Sequence, residues 1–373
     1  TEVLAEQHFK SVLGLAKKLN LSVELLTGST KPKERDVLLN NLLIGKTNIL
    51  IGTHALIEER VRFKKLGLVV IDEQHKFGVA QRAKLWSKKE EYYPHVLVMT
   101  ATPIPRTLAL TLYGDLDVSV IDELPKGRKE IITSHRNDNS RLKVLNFIKQ
   151  TVESGSQVYI VYPLIEESAK KDHKDLMDGY ESLTRYFPDT QIGVLHGRMK
   201  AENKDYEMKR FVEAKTKILV STTVVEVGVD VPNASVIIIE SAERFGLSQL
   251  HQLRGRVGRG KKQSYCILMT KYDISKESKE RIKAMVETSD GFKIANTDLK
   301  LRGPGNMMGT KQSGLLELRF TNLAEDYDSI KKTREITINL VEEDPELSSK
   351  ENIDIKNYLK NNIKSNINWS RIS

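Results

Sequence analysis

Two adjacent carboxylates, Asp72 and Glu73, end an apolar run in the stretch LGLVVIDEQHKFG. A continuous apolar run of this length predicts a strand that is buried on both faces of a parallel sheet, with the carboxylates at its carboxyl end. Ligands bind at that edge in open α/β sheets, so the pair could hold a metal ion and activate a water molecule. The sequence is equally compatible with a structural alternative, in which Asp72 caps the helix that follows.

A second group with chemical potential is the stretch QLHQLRGRVGRG, residues 249–260, which carries Arg254, Arg256 and Arg259 between small residues. Planar guanidinium groups clamp phosphate oxygens and neutralise the charge that builds up in phosphoryl transfer. The alternative is a solvated basic loop that touches a DNA backbone. Together with the carboxylate-tipped strand, the arginines predict two halves of one nucleotide site, built across a cleft.

The elements that must position these groups are indicated by the other apolar runs. TNILIGTH, HVLVMTATP, IGVLHG, TKILVSTT and ASVIIIES each end in polar or small residues, and residues 200–214 repeat apolar side chains at helical spacing. Strands that alternate with helices predict parallel sheets with right-handed crossovers, which is an α/β fold.

The strands form two groups, separated by DELPKGRKEIITSHRNDNS at residues 122–140, where proline, glycine and charges predict a linker. We therefore predict a first lobe at residues 1–134, a second at 135–272 and a helical remainder at 273–373. The remainder contains helical charge patterns, the glycine-rich LRGPGNMMGTKQSG and a lysine-rich helical tail.

The composition favours a globular protein that binds a polyanion. Apolar residues make up 39% of the 373 residues and charged residues 29%, while the formal net charge is +9. The Lys-, Asn- and Ile-rich tail could, however, reflect base composition alone. The single cysteine, Cys266, excludes an internal disulfide and favours a reducing compartment. No apolar segment approaches the roughly 18 residues of a membrane span, so we predict no membrane partner and a cytoplasmic location.

The order GTHAL, DEQH, TATP, GVLHGRM, STTVVEVGVDVP, HQLRGRVGRG resembles the motifs of superfamily 2 helicases and translocases. The segments MTATPIPRTLALTLYGDLDVSVIDELPKGR and DLKLRGPGNMMGTKQSGL resemble the RecG family of branched-DNA helicases more narrowly. The nearest alternative is the transcription-repair coupling factors, which place a small residue at the Pro304 position and lack the LYGDLDVSVIDELP run. The resemblance implies two RecA-like lobes with parallel sheets, then a helical hairpin and tail.

The resemblance assigns roles around the carboxylates. It implies that Asp72 holds Mg²⁺ through water and that Glu73 polarises the attacking water. It also implies that Gln74 and His75 link the nucleotide to the second lobe and to DNA. For His75 taken alone, a histidine satisfied by a partner at a helix start is the simpler interpretation.

Further roles follow from the same resemblance. Thr100 and Thr102 would couple hydrolysis to lobe movement, although a local cap or turn role is the structural alternative. Nucleotide contacts and the arginines across the cleft would come from the second lobe: Gly228, Asp230, Gln252, Arg256 and Arg259.

Contacts with DNA and the coupling loop complete the predicted residues. Amides and hydroxyls around Thr53, His54 and Thr222 could contact phosphates of the tracked strand, with a turn role as the alternative. The loop DLKLRGPGNMMGTKQSG would convert lobe closure into displacement along the duplex, and Arg302 and Gln312 would grip it. A structural Gly-Pro-Gly turn that packs the tail is the alternative.

The function implied by the resemblance is an ATP-dependent helicase or translocase that uses ATP and Mg²⁺ on branched DNA, such as stalled forks and Holliday junctions. It implies a monomer and single-strand DNA-binding protein as a further partner. The competing hypothesis is a DNA-binding module that never hydrolyses ATP.

One motif of such a motor is missing. The motor needs a glycine-rich loop that ends in Gly-Lys-Ser/Thr, and LTGST at residues 26–30 lacks the second glycine and the lysine. Thr1 and Glu2 instead resemble the middle of the family's motif Ia, which follows that loop. We therefore expect a carboxyl-terminal fragment that begins inside the first lobe, lacks the family's wedge domain and is inactive as an ATPase.

Overall fold

The computed structural model describes residues 2–73, 94–101, 117–121, 123, 125, 127–163, 169–222, 230–302 and 326–362. The chain divides into two compact units. The first consists of residues 1–67 and 123–294, and the second of residues 68–122 and 295–373. The three consecutive domains predicted from the sequence stay a prediction.

The helices and strands of these residues alternate along most of the chain. The strands are β1 (Val23–Leu26), β2 (Ile49–Gly52), β3 (Leu68–Ile71), β4 (His95–Val98), β5 (Ile132–Asn137), β6 (Gln157–Val161), β7 (Ile192–Leu195), β8 (Ile218–Ser221), β9 (Ala234–Ile239) and β10 (Tyr265–Thr270). The helices are α1 (Glu2–Lys18), α2 (Pro32–Ile44), α3 (Arg141–Glu153), α4 (Ala169–Tyr186), α5 (Ala201–Val212), α6 (Leu247–Arg254), α7 (Lys276–Glu287), α8 (Gly291–Arg302), α9 (Tyr327–Glu343) and α10 (Ile353–Asn362).

A six-stranded parallel sheet is the centre of the first unit. Its strand order is β5-β10-β9-β6-β8-β7, and every pairing is parallel. Strands β6, β8 and β9 are buried along their whole length, which the apolar runs of β8 and β9 predict. On one face, Val158 and Ile160 of β6 share a core with Ile148 of α3 and Leu176 of α4.

Strand β5 was missed in the sequence, because its residues ITSHRN lack an apolar run. Among the described strands it pairs only with β10, at the edge of the six-stranded sheet, and Ile132 is 52% exposed. The predicted linker at residues 122–140 therefore includes a strand, and the predicted domain boundary at residue 134 falls inside it. An edge strand with one unpaired side tolerates polar residues, which hides it from a pattern of apolar runs.

The amino-terminal part of the first unit contains a two-stranded parallel sheet, in which Val23 of β1 faces Ile49 of β2. Leu26, Leu38 and Leu42 form a small core there with Ala55 and Val61. The apolar run TNILIGTH is thus confirmed as a strand that ends at Gly52.

In the second unit, β3 and β4 form a separate parallel pair, with Leu68 opposite His95 and Val70 opposite Leu97. Ile71 is 4% exposed, whereas Leu68 and Val70 are 59% and 52% exposed. The expectation that this strand is buried on both faces is therefore wrong. An apolar run shows that a strand can be covered, but it does not show which of its two faces another layer covers.

The described residues after β10 form the helices α7 to α10, as predicted for the helical remainder. In the segment between α9 and α10, the Asp344 carboxylate accepts hydrogen bonds from the N–H groups of Ser348 and Ser349 and from Asn352 Nδ2. These hydrogen bonds hold the pKa of Asp344 below its usual range. None of the helices in the described part of the chain is both long and apolar enough to cross a lipid bilayer.

Candidate functional site

Helix α6 positions the arginine cluster at its carboxyl end. The Gly246 N–H donates to Gln249 Oε1 at 3.2 Å, so a side chain three residues into the helix satisfies the N-cap amide. Leu247, Leu250 and Leu253 are completely buried and hold one face of the short helix in the core. The arginine loop, residues 255–260, follows directly.

Arg254 does not serve the predicted phosphate chemistry. Its guanidinium is 3% exposed and donates to the carbonyl oxygens of Met285 at 3.0 Å, Thr288 at 2.8 Å and Ser289 at 3.2 Å. These carbonyls lie at and just beyond the carboxyl end of α7, where a cation is favourable. Arg254 therefore fastens α6 to α7 and has no surface left for a phosphate.

Arg259 and Asp230 lie together at the edge of the same unit. Arg259 Nε donates to the carbonyl oxygen of Gly255 at 3.2 Å, and Arg259 NH1 lies 3.6 Å from Asp230 Oδ1. The two side chains are 27% and 42% exposed, so water screens the pair and its contribution to stability is small. A guanidinium held in this way can exchange a weak partner for a phosphate without unfolding anything.

Arg256 approaches the core beneath this pair. It is buried, and its positive charge and that of Arg259 both act on the hydroxyl group of buried Tyr159 on β6. Burial raises the pKa of Tyr159 above its usual range, whereas the two arginines oppose that shift and Asp230 reinforces it. The charges of three predicted residues, Asp230, Arg256 and Arg259, thus all act on Tyr159, and Arg259 and Asp230 also contact each other. Gln252 lies half-buried in the last turn of α6.

The carboxylates lie in the second unit, at the carboxyl end of β3. Asp72 and Glu73 are both half-buried, and Asp72 Oδ1 accepts the Glu73 N–H at 2.9 Å. Glu73 has φ +55, a left-handed conformation that ends the strand abruptly. A hard oxygen donor at this edge suits Mg²⁺, which takes one or two carboxylates and completes its shell with water and phosphate. Among the residues described, no cluster of three or more acidic, His or Cys side chains forms a ready metal cage.

Three family profiles match this chain in sequence order. The DEAD/DEAH box helicase profile matches residues 1–111, the helicase conserved C-terminal domain matches residues 123–261, and the profile for ATP-dependent DNA helicase RecG, domain 3, C-terminal, matches residues 288–373. The ATP-dependent DNA helicase RecG of Synechocystis sp. is 54% identical over 357 residues, which cover 95% of this chain and 43% of the relative. The chain belongs to the RecG family.

Other RecG proteins extend the comparison. RecG of Bacillus subtilis is 50% identical over 345 residues, covering 92% of this chain and 50% of the relative. The solved structure of RecG bound to a three-way DNA junction aligns with a TM-score of 0.69 and 47% identity, over 82% of this chain and 39% of that chain. The fold is accordingly that of two RecA-like lobes and a helical tail. The chain spans about half the length of these RecG relatives.

The predicted DNA contacts lie at strand ends in this RecG-family chain. Thr222 follows β8, and its N–H donates to the Leu195 carbonyl oxygen at 3.1 Å. Within the described residues, the buried hydroxyls of Thr222 and of Ser221, the last residue of β8, have no hydrogen-bond partner. Thr53 follows β2, and its carbonyl oxygen accepts the Leu56 N–H at 3.1 Å, while His54 is exposed. Thr53 thus takes part in a turn, and its contact with DNA stays a prediction.

The other predicted residues lie at the ends of the described segments or outside them. Thr100 is exposed just after β4. Arg302 is the last residue of α8, but its side chain lies outside the described part of the structure. The remaining predicted residues also lie outside the described residues: Gln74, His75, Thr102, Gly228 and Gln312.

Sequence reasoning overlooked Gly45-Lys46-Thr47, the one Gly-Lys-Thr triplet in the chain. Gly45 has φ +80 and ends α2, and its N–H donates to helix carbonyls at Asn41 and Leu42. A phosphate-binding loop runs from a strand into a helix, whereas this triplet runs from α2 towards β2. The triplet is therefore a helix C-cap and does not replace the missing loop.

A second overlooked feature is a cavity of about 200 Å³ at the carboxyl ends of β5, β6, β9 and β10. Arg141 reaches across it to Glu240 with two hydrogen bonds of 2.9 Å each, from NH1 to Oε1 and from NH2 to Oε2. These bonds raise the pKa of Arg141 further above its usual value. The pairing occupies the charged groups of Arg141 and Glu240 in the cavity lining. No sequence motif predicts it.

Proposed function

We propose that the full-length protein is an ATP-dependent DNA helicase and translocase that acts on branched DNA in the cytoplasm. The observation that carries the proposal is the partly exposed Arg259, paired with Asp230 at 3.6 Å, in a chain of the RecG family. A guanidinium group with such a weak partner is suited to a transferring phosphoryl group. In this proposal, the domains are those predicted from the sequence, at residues 1–134, 135–272 and 273–373.

The predicted residues would have different roles in binding and hydrolysing the nucleotide. Asp72 would hold Mg²⁺ through water and Glu73 would orient the attacking water, with Gln74 and His75 beside them. The metal, when bound, neutralises charge on the phosphates. Arg256 and Arg259 would stabilise the charge that develops in phosphoryl transfer. Further nucleotide contacts would come from Gly228, Asp230 and Gln252.

Contacts with DNA would come from the strand ends. The buried hydroxyl of Thr222 has no hydrogen-bond partner among the described residues, and a phosphate oxygen arriving at the end of β8 would supply one. Thr53 and His54 would make equivalent contacts after β2. A three-way junction is bound by RecG in the related solved structure, and we extend branched DNA as the partner to this protein. Single-strand DNA-binding protein as a partner and the monomeric state remain parts of the proposal.

The competing proposal is a DNA-binding module that does not hydrolyse ATP. The observation in its favour is Gly45-Lys46-Thr47, which closes a helix and leaves these 373 residues without a phosphate-binding loop. A translocase of the transcription-repair coupling type is disfavoured, because residues 288–373 match the RecG profile.

The test compares the full-length protein with the 373-residue chain. We expect the full-length protein to hydrolyse ATP in response to branched DNA and to unwind a three-way junction. We expect the 373-residue chain to hydrolyse ATP at background rate, because a metal and arginines cannot position a nucleotide without its phosphate cradle. Turnover by the chain alone would contradict the missing-cradle argument, and an inactive full-length protein would favour the DNA-binding module.

A second prediction concerns coupling through the glycine-rich loop. We expect Arg302→Ala or Gln312→Ala in the full-length protein to keep most DNA-stimulated ATP hydrolysis but to reduce junction unwinding severely. The physical reason is that a hinge contact transmits movement and takes no part in bond breaking. Lys300→Ala, an exposed residue of α8, is the matched control. Equal losses of both activities, or full unwinding, would remove these two residues from the mechanism.

A further inference from the structure

The arginine loop is held by a residue far away in the sequence. Arg128 Nε donates a hydrogen bond of 2.7 Å to the carbonyl oxygen of Gly258, which is 130 residues further along the chain. Arg128 is half-buried and follows a turn in which its own N–H donates to the Pro125 carbonyl oxygen at 3.1 Å. Gly127 occupies this turn with φ +83. The turn therefore aims the Arg128 side chain at the arginine loop.

The backbone of the loop lies directly against the segment that carries Arg128. Gly258 is buried with φ +77, and a Cβ atom built there would lie 2.8 Å from Ile131 Cγ1. Only glycine combines this backbone conformation with such a close approach. Farther on, Gln263 Nε2 donates to the Glu130 carbonyl oxygen at 2.7 Å. Arg128, Glu130 and Ile131 thus form one wall of the loop.

The opposite side of the loop is also confined. A side chain at Gly260 would collide with the carbonyl oxygen of Pro232, two residues after Asp230. Arg259 lies in sequence between Gly258 and Gly260, and within the described part of the chain its guanidinium contacts the Gly255 carbonyl oxygen and Asp230. Because these contacts are weak, the direction of the Arg259 side chain depends on the peptide that precedes it. That peptide carries the carbonyl that Arg128 holds.

We propose that Arg128 is a positioning residue for Arg259: it fixes the Gly258 carbonyl so that the Arg259 guanidinium points at the transferring phosphoryl group. The inference rests on the proposed function. A charged donor makes a stronger hydrogen bond than a neutral one. The hydrogen bond from Arg128 is therefore suited to holding a loop that contains flexible glycines. Arg128 touches neither nucleotide nor DNA in this role, and its effect passes through Arg259 alone.

The first experiment measures ATP hydrolysis by the full-length protein with branched DNA. Misplacement of a catalytic group by an ångström lowers rates on the order of 10²-fold, so a loosened Arg259 in Arg128→Ala should lower kcat about 10-fold. KM for ATP should stay within about twofold, because the arginine acts mainly in the transition state. Arg128→Lys, which keeps a charged donor, should recover part of the loss. The matched control is Lys129→Ala, the exposed neighbour, with wild-type kcat expected.

The second experiment asks whether the effect passes through Arg259. In an Arg259→Lys background, Arg128→Ala should lower kcat less than about twofold further, because coupled residues are not additive. Hydrogen exchange at residues 255–262 should rise in Arg128→Ala, while exchange within α6 stays unchanged. Wild-type kcat in Arg128→Ala, a raised KM with unchanged kcat, or fully additive losses would overturn this inference alone. A wild-type protein without turnover would overturn the proposed function and this inference with it.

Discussion

Replacing Arg259 with alanine in the full-length protein is expected to lower DNA-stimulated ATP hydrolysis by roughly 10³-fold or more, the range of an arginine that stabilises phosphoryl transfer. Binding of branched DNA should stay nearly unchanged, because a single exposed phosphate contact contributes modestly. The fold should also survive. Arg259 is 27% exposed, and its ion pair with Asp230 spans 3.6 Å in contact with water, so its loss removes little stability.

The measurement needs turnover and DNA affinity on the same preparation. Lys261→Ala serves as the matched control, because Lys261 is an exposed basic residue just after the loop. The substitution removes one positive charge, as Arg259→Ala does. Its turnover should equal that of wild type. If Arg259→Ala instead lost much of its DNA affinity and kept its turnover, the loop would be better interpreted as a basic surface that contacts the DNA backbone.

The sequence patterns correctly predicted the strands that are buried on both faces of the sheet. β8 and β9 are largely apolar and are buried along their whole length, so the pattern and the structure agree. β5 was missed because an edge strand needs no apolar run, and β3 was assigned too much burial because its outer face is exposed. The spacing of apolar residues indicates which side chains of a segment can be buried. Which neighbouring elements cover them depends on the rest of the chain.

The candidate site shows the same division. Spacing within one motif could not distinguish Arg254, which is buried against carbonyl oxygens, from Arg259, which is half-exposed beside Asp230. The partners of both arginines come from distant segments, as does Arg128. The position of Tyr159 among these charges had no sequence signal at all. Residue type suggests the chemistry, but only three-dimensional packing distinguishes the buried Arg254 from the partly exposed Arg259.

Replacing Arg254 with alanine is expected to lower the free energy of unfolding of the first unit by about 3 kcal/mol, because one buried and two partly buried hydrogen bonds to carbonyl oxygens lose their donor together. Those carbonyls belong to Met285, Thr288 and Ser289, at the end of α7. Hydrogen exchange across α6 and α7 in the full-length protein measures the loss. The control is Arg136→Ala, since Arg136 is exposed and its NH1 donates only to the adjacent His135 carbonyl oxygen. Equal exchange in the two variants would contradict a fastening role.

The same fastening should weaken in acid, because His251 takes part in it. Arg254 NH2 donates to His251 Nδ1 at 3.1 Å, so the imidazole must be neutral, and burial followed by repulsion from Arg254 lowers the pKa of His251 from 6.5 to about 4. Between these pH values the unfolded chain binds a proton that the folded chain does not. Stability is therefore complete above pH 6.5 and declines as the pH falls towards 4. His251→Asn, which keeps an acceptor without the ionisable ring, should flatten this decline in α6 and α7, and an unchanged decline would assign it to other groups.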